Sequence, residues 1–80
     1  MTNKNSMEKK YQEMTKKEQA VIDTLQVLEF DYINNKFLTT QRRRNLLSNI
    51  LKQQKKAVEM GLQDTISPIW VREMKIMGLQ

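Results

Sequence analysis

Residues 41–60 read QRRRNLLSNILKQQKKAVEM, and the spacing of their apolar side chains decides the fold of this chain. On a helical wheel these side chains share an arc of about 140°, which is typical of a helix with one buried face. The apolar set consists of Leu46, Leu47, Ile50, Leu51, Ala57 and Val58. Thr39 or Thr40 can cap the start of this helix. At its other end, Gly61 followed by Leu62 predicts a stop of the Schellman type.

A helix is also predicted before this one, over residues 16–35. Thr15 and Glu18 form the pattern of a capping box, in which each side chain accepts a hydrogen bond from the other residue's backbone amide. Apolar side chains already recur at heptad spacing from Met7, so a helix that starts there is the alternative. We expect a firm helix from Lys16 and a flexible or weakly helical segment before it.

A third helix is predicted near the C-terminus. Ser67 can serve as its N-cap, and Pro68 suits the first helical position. Ile66 and Val71 can form a hydrophobic staple across the cap. These signals predict a short helix over residues 68–77.

The predicted fold is all-α, with a long helical hairpin of residues 16–35 and 41–60 and a short packed C-terminal helix of residues 68–77. Residues 1–15 form an N-terminal extension, and residues 16–80 form a single helical domain. The composition agrees with helices, because the 80 residues include only two glycines and one proline. Turn-rich β-proteins use both residue types far more often.

The composition also excludes most kinds of catalytic site. The chain has no histidine and no cysteine, so a general base near neutral pH would have to be a perturbed carboxylate or lysine. The carboxylates follow no metal-ligand spacing, and two isolated glycines cannot build a phosphate-binding loop. We therefore expect a binding protein and not an enzyme, with no metal and no cofactor.

Neither export nor a membrane span is predicted. The first thirty residues lack the continuous apolar stretch of a secretory signal, since lysines and glutamates interrupt residues 7–19. The longest apolar runs are residues 20–22 and 69–71, far short of the roughly 18 residues that a membrane helix needs. The lack of cysteine agrees with a reducing compartment. We expect a cytoplasmic protein.

Positive charge is concentrated in the third quarter of the chain. The sequence has 14 lysines and arginines against nine acidic residues, a net charge of +5. Residues 41–60 contain six of the cations and a single glutamate, which matches the entire net charge. Such a segment attracts polyanions, and the candidates are nucleic acid, an acidic protein and an anionic membrane surface.

One edge of the helix over residues 41–60 suits a polyanion. Its polar side chains recur every three or four residues and extend over about 21 Å. This edge comprises Arg42, Asn45, Asn49, Lys52 and Lys56, all of which can donate to a phosphate. Arg44 and Lys55 on the opposite edge are further candidate contacts, as is Arg43. Arg43 points toward the apolar arc, so the alternative is that it packs along the hairpin. Three arginines in a first turn oppose the helix dipole, which favours a functional role over an ordinary solvated helix face.

The end of this helix and the segment after it resemble part of the helix-turn-helix pattern. The resemblance rests on Gln53, Ala57, Met60, Gly61 and Leu62, in which a small residue precedes a turn glycine by four positions. Ser67 departs from the pattern, since an apolar residue is expected there. The resemblance implies that the third helix contacts nucleic acid through Arg72 and Lys75.

The helix over residues 16–35 is apolar on two sides, whereas a surface helix needs only one buried stripe. We expect it to be central, in contact with its own chain on one side and with a second copy or a partner on the other. The second apolar side predicts a protein interface made of Val27, Phe30, Tyr32, Ile33 and Phe37. A short third helix cannot cover this whole side, so we expect a second copy of the chain or a protein partner there.

The sequence as a whole predicts a small basic regulatory protein that binds nucleic acid with the helix over residues 41–60 and self-associates. The alternative is a protein-interaction module, an inhibitor or adaptor of the kind that mobile elements encode. Such a module would bind its partner through the apolar side of the first helix. Salt-dependent affinity for nucleic acid distinguishes the two hypotheses.

Overall fold

The computed structural model describes residues 10–79, and all regular structure within them is helical. A single 3-10 turn, Tyr11–Glu13, precedes three α-helices. These are α1 (Lys16–Asn34), α2 (Thr40–Glu59) and α3 (Pro68–Ile76). The predicted hairpin with a short C-terminal helix is confirmed. Within the same range, no helix combines the length and apolar character that a bilayer span requires.

The start of α1 follows the predicted capping box. The Glu18 amide donates to Thr15 Oγ1 at 3.1 Å, and the Thr15 amide donates to Glu18 Oε1 at 2.9 Å. The heptad spacing before this point does not lengthen the helix, because the backbone at Lys10 and Met14 is extended on either side of the 3-10 turn. The alternative start at Met7 lies outside the described residues.

Both ends of α2 form as predicted. The Thr39 side chain accepts a hydrogen bond from the Arg42 amide at 3.2 Å. At the C-terminal end, Gly61 has a φ of 76°, and the Leu62 amide donates to the Ala57 carbonyl at 2.8 Å. A left-handed glycine with this bond is the Schellman stop. Leu62 then folds back and is buried.

The start of α3 differs from its prediction in one respect. The helix begins at Pro68 as expected, but the Ser67 hydroxyl makes no cap hydrogen bond. Proline at the first position has no amide hydrogen to satisfy, and the Trp70 amide at the third position donates to the Ser67 carbonyl at 3.0 Å. The Ser67 amide instead donates to the side chain of Gln54 on α2, at 3.4 Å, and so links the start of α3 to the core.

The central helix is α2, which packs against both α1 and α3. The first helix contacts the rest of the chain on one side, as predicted, and what covers its other side stays a prediction. Of the predicted second apolar side of α1, α3 covers Tyr32 and leaves Val27, Phe30 and Ile33 exposed. The apolar core consists of Val21, Leu25, Tyr32, Leu47, Ile50, Ala57, Leu62, Trp70 and Met74.

One polar side chain, Gln54, is buried in this core with 3% of its surface exposed. Its Nε2 donates to Glu29 Oε2 on α1 at 2.7 Å. Its Oε1 accepts from Gln63 Nε2 and from the Ser67 amide. Because the amide has partners at both ends, it joins α1, α2 and the start of α3 without an unsatisfied buried group.

Tyr32 belongs to this core and not to the predicted interface. Only 7% of its surface is exposed. Its ring meets the ring of Trp70 edge to face, with centroids 5.5 Å apart and planes at 77°. Its hydroxyl donates to Glu73 Oε1 at 2.8 Å. The prediction that Tyr32 contacts a partner is therefore wrong, because α3 has already covered it.

The helix-turn-helix interpretation also fails on geometry. The motif joins its helices by a turn of about three or four residues. Here residues 60–67 separate α2 from α3, and α2 itself is 20 residues long. The glycine stop is present, but the short connection that would set the angle of a reading helix is not.

Candidate nucleic-acid interface

The basic edge of α2 lies opposite its buried face. Leu47, Ile50 and Ala57 have no exposed surface, and they hold the helix against the core. The opposite edge consists of Arg42, Asn45, Asn49, Lys52 and Lys56, and all five are exposed. We call these five residues the α2 basic edge. The apolar arc of the same helix orients it, because burying one face leaves the other in solvent.

The cations of the α2 basic edge are not neutralised by their own chain. Within residues 10–79, no carboxylate forms a hydrogen bond or an ion pair with Arg42, Lys52 or Lys56. Acidic side chains also lie near the edge: Glu59 at the C-terminal end of α2, and Asp31 of α1, which lines a groove together with Arg42. The positive potential of the edge is therefore available to a ligand.

Gln41 orients one member of the edge, a role that sequence reasoning missed. Its Nε2 donates to Asn45 Oδ1 at 3.0 Å. The Asn45 oxygen is thereby occupied, and its NH2 group remains as the donor for a ligand. The signal for this pair was the spacing of four residues on one helix, at which glutamine and asparagine side chains meet.

A shallow groove of about 190 Å³ lies beside the first half of the edge. It is lined by Asp31, Leu38, Arg42, Asn45, Leu46 and Asn49. One wall therefore carries three donors of the α2 basic edge, and the other carries the Asp31 carboxylate of α1. Arginine suits a phosphate, whereas asparagine and aspartate can also bond to the edge of a base. Sequence reasoning missed Asp31, because only the hairpin brings it to this groove.

Arg43 turns away from the edge and stacks on the core. Its guanidinium carbon lies 5.3 Å from the centroid of the Tyr32 ring, and the side chain is half-buried. Burial raises the pKa of the Tyr32 hydroxyl, and the hydrogen bond to Glu73 raises it further. The tyrosine stays neutral, with its aromatic face against the cation. Arg43 therefore does not belong to the candidate interface.

Arg44 is also held by its own chain. Its Nη1 donates to the carbonyl oxygen of Met77 at 2.9 Å, and Met77 is the C-cap of α3. A cation at a helix C-terminus is stabilising, because it opposes the negative end of the helix dipole. Two of the three arginines in the first turn of α2 thus have structural partners. The inference from the arginine cluster therefore rests on Arg42 alone.

The remaining predicted contacts are exposed but dispersed. Lys55 lies on α2 next to the edge. Arg72 and Lys75 lie on α3 and line a separate groove of about 410 Å³ with Ile66, Pro68 and Val71. No basic residue of α2 lines that groove. The structure therefore does not bring the α3 cations together with the α2 basic edge.

Four of the five residues of the predicted protein interface are exposed, and Tyr32 is not. Val27, Phe30 and Ile33 expose 66–68% of their surface, and Phe37 exposes 92%. We call these four residues the α1 apolar face. On α3, Ile69 and Ile76 are also largely exposed, and sequence reasoning missed both. The sequence signal was their spacing of seven residues, which places both on one side of α3, away from the side that carries Trp70 and Met74.

Among residues 10–79, no group of three or more acidic side chains is placed to hold a metal ion. Comparison with known proteins finds no protein-family model, no curated protein and no solved structure that matches this chain. Two surfaces of residues 10–79, the α2 basic edge and the α1 apolar face, are the candidates for binding a partner.

Proposed function

We propose that this protein binds nucleic acid through the α2 basic edge and acts as a regulatory binding protein, not as an enzyme. One observation carries the proposal. Five exposed donors lie along one side of a single helix, and within residues 10–79 the three cations among them form no ion pair with a carboxylate. A nucleic-acid backbone is the common polyanion whose charges repeat along a line.

The spacing of the cations suits successive phosphates. Lys52 and Lys56 are one helical turn apart, about 6 Å along the axis, and Arg42 lies about 15 Å before Lys52. Asn45 and Asn49 fill the interval with neutral donors, which fix the position of a backbone without adding charge. The edge therefore contacts about three phosphates by charge and positions the sugar or base between them.

Binding of this kind depends on salt, because each neutralised phosphate releases counterions. The slope of log K against log salt is about −0.9 per contact on duplex DNA and about −0.7 on a single strand. Three charged contacts predict a slope of about −2 to −3. Replacing Arg42, Lys52 and Lys56 together by glutamine should bring the slope close to zero.

The test is a fluorescence-anisotropy titration of labelled duplex and single-stranded DNA at several salt concentrations. The control triple variant replaces Lys10, Lys16 and Lys17, which are exposed, by glutamine. It removes the same charge but should change the slope by less than about one unit. Equal changes in the two variants would mean that only net charge matters. A wild-type affinity that ignores salt would remove the proposal.

The second candidate function is a protein-interaction module, an inhibitor or adaptor. The α1 apolar face favours it, because monomers seldom expose four large apolar side chains together. In that case the variant with glutamine at positions 42, 52 and 56 still binds the protein partner. Phe30→Asp abolishes the complex with that partner, and its helicity by circular dichroism stays unchanged.

A further inference from the structure

In the α1 apolar face, Val27, Phe30 and Ile33 lie on the side of α1 opposite its buried residues, and Phe37 lies in the connection that follows the helix. Its four side chains, Val27, Phe30, Ile33 and Phe37, each expose about two-thirds or more of their surface. Together they present on the order of 500 Å² of apolar surface, the upper end of what a monomer exposes. We infer that this face binds a second copy of the chain, with the two α1 helices antiparallel and a two-fold axis beside Phe30.

The order of side chains along the face is self-complementary. When two antiparallel helices are related by a two-fold axis at Phe30, residues equally far before and after it come to the same level. Val27 and Ile33 are each three residues from Phe30, so each packs against the other type on the second copy. Phe30 meets its own equivalent. Gln26 and Asn34, both exposed, are each four residues away, and their amides can hydrogen-bond across the interface.

The charges at the two ends of the face select the antiparallel arrangement. Asp23 lies seven residues before Phe30, and Lys36 lies six residues after it; both are exposed. Asp23 lies on α1, and Lys36 follows the end of the helix at Asn34, so antiparallel packing places the Asp23 end of one face beside the Lys36 end of the other. A parallel pair would place the two aspartates side by side instead. Tyr11 restrains the Asp23 carboxylate by donating to both of its oxygens, at 3.0 and 3.1 Å.

The area of the face sets the strength of the dimer. Two copies bury about 1,000 Å² in total, which is at the lower limit for a specific interface. We therefore expect a reversible dimer with a dissociation constant in the micromolar range. The α2 basic edge takes no part in this contact, so the inference does not depend on the proposed function.

The test is sedimentation equilibrium of the full chain without nucleic acid, from about 1 to 200 µM. The wild type should shift from monomer to dimer over this range. Phe30→Asp should raise the dissociation constant at least about a hundredfold, since it places two carboxylates at the centre of the interface. Ile76→Asp is the matched control, because Ile76 on α3 is also 68% exposed. It should dimerise as the wild type does, and circular dichroism should show equal helicity for all three proteins.

A charge swap tests the orientation. Asp23→Lys and Lys36→Asp should each weaken the dimer about three- to tenfold, and the double variant should recover the wild-type constant. A wild type that stays monomeric at about 200 µM would overturn the inference and leave the face to a different protein. A Phe30→Asp variant that dimerises normally would also overturn it. A double variant no better than the singles would overturn the antiparallel arrangement.

Discussion

Replacing the buried Gln54 by leucine should destabilise the fold by about 2 kcal/mol. Leucine has a similar size, so the change tests the hydrogen bonds and not the packing. The variant loses the bond to Glu29 at 2.7 Å and the acceptor for Gln63 and Ser67. All three former partners remain in place and must find water or stay unsatisfied.

The magnitude follows from the state of each partner. A hydrogen bond to a charged carboxylate is worth about 1.5–3 kcal/mol. Glu29 is only half-buried, so water recovers part of that loss. Gln63 keeps its bond to the Thr65 carbonyl at 3.0 Å, and the Ser67 bond is long at 3.4 Å. The apolar gain of leucine offsets a further part, which leaves about 2 kcal/mol.

The assay is urea denaturation at pH 7, followed by circular dichroism at 222 nm. Gln41→Leu is the control, because Gln41 lies on the exposed side of the same helix and should change stability by no more than about 0.5 kcal/mol. A cost for Gln54→Leu equal to that of the control would refute the reasoning. It would mean that the buried amide has no net effect on folding.

The pH dependence supplies an independent check. Burial raises the pKa of Glu29 above its ordinary value of 4.5, and the Gln54 hydrogen bond lowers it in part. A raised pKa in the folded state favours folding below the ordinary pKa, and this contribution is lost as the pH rises through the folded value. Without Gln54 the pKa of Glu29 rises further. The cost of Gln54→Leu should therefore be smaller near pH 4 than at pH 7, and an equal or larger cost at low pH contradicts this account.

Two further predictions concern Arg44 and Phe30, neither of which belongs to the α2 basic edge. Arg44→Met removes the hydrogen bond to the Met77 carbonyl and should lower the free energy of unfolding, measured by urea denaturation, by about 1 kcal/mol. The slope of log K against log salt should change less in this variant than in Arg42→Gln. Phe30→Asp should keep the wild-type salt slope for each chain in the anisotropy titration, since Phe30 lies across the hairpin from the α2 basic edge. A salt slope smaller by about 0.7–0.9 or more, the value of one charged contact, would show that the α1 apolar face and the α2 basic edge are coupled.

The helix ends could be predicted because their signals are local. The capping box at Thr15 and the glycine at Gly61 act within four residues of themselves, so no tertiary information is needed. The exposure of the α2 basic edge could also be predicted from residues of the same helix. Once the apolar arc of α2 faces the core, Lys52 and Lys56 must lie on the other side.

The partners of Arg44 and Tyr32 could not be predicted, because they depend on where α3 packs. Met77 is 33 residues from Arg44, and Glu73 is 41 residues from Tyr32. A helical wheel places Tyr32 near one apolar side but does not say which element covers it. The same limit explains why an arginine cluster resembled a binding site while two of its members hold the fold together.

The position of the α2 basic edge beside α1 determines where an antiparallel dimer holds its two edges. On α1, Phe30 points away from the side chains that pack on α2, whereas the first half of the α2 basic edge borders the groove that Asp31 of α1 lines. An antiparallel α1 pair therefore orders the helices α2, α1, α1, α2, and its two-fold axis passes through the α1–α1 contact, perpendicular to both helices. Rotation about this axis leaves a direction parallel to it unchanged, so edges on the flanks of the two hairpins face the same side of the dimer.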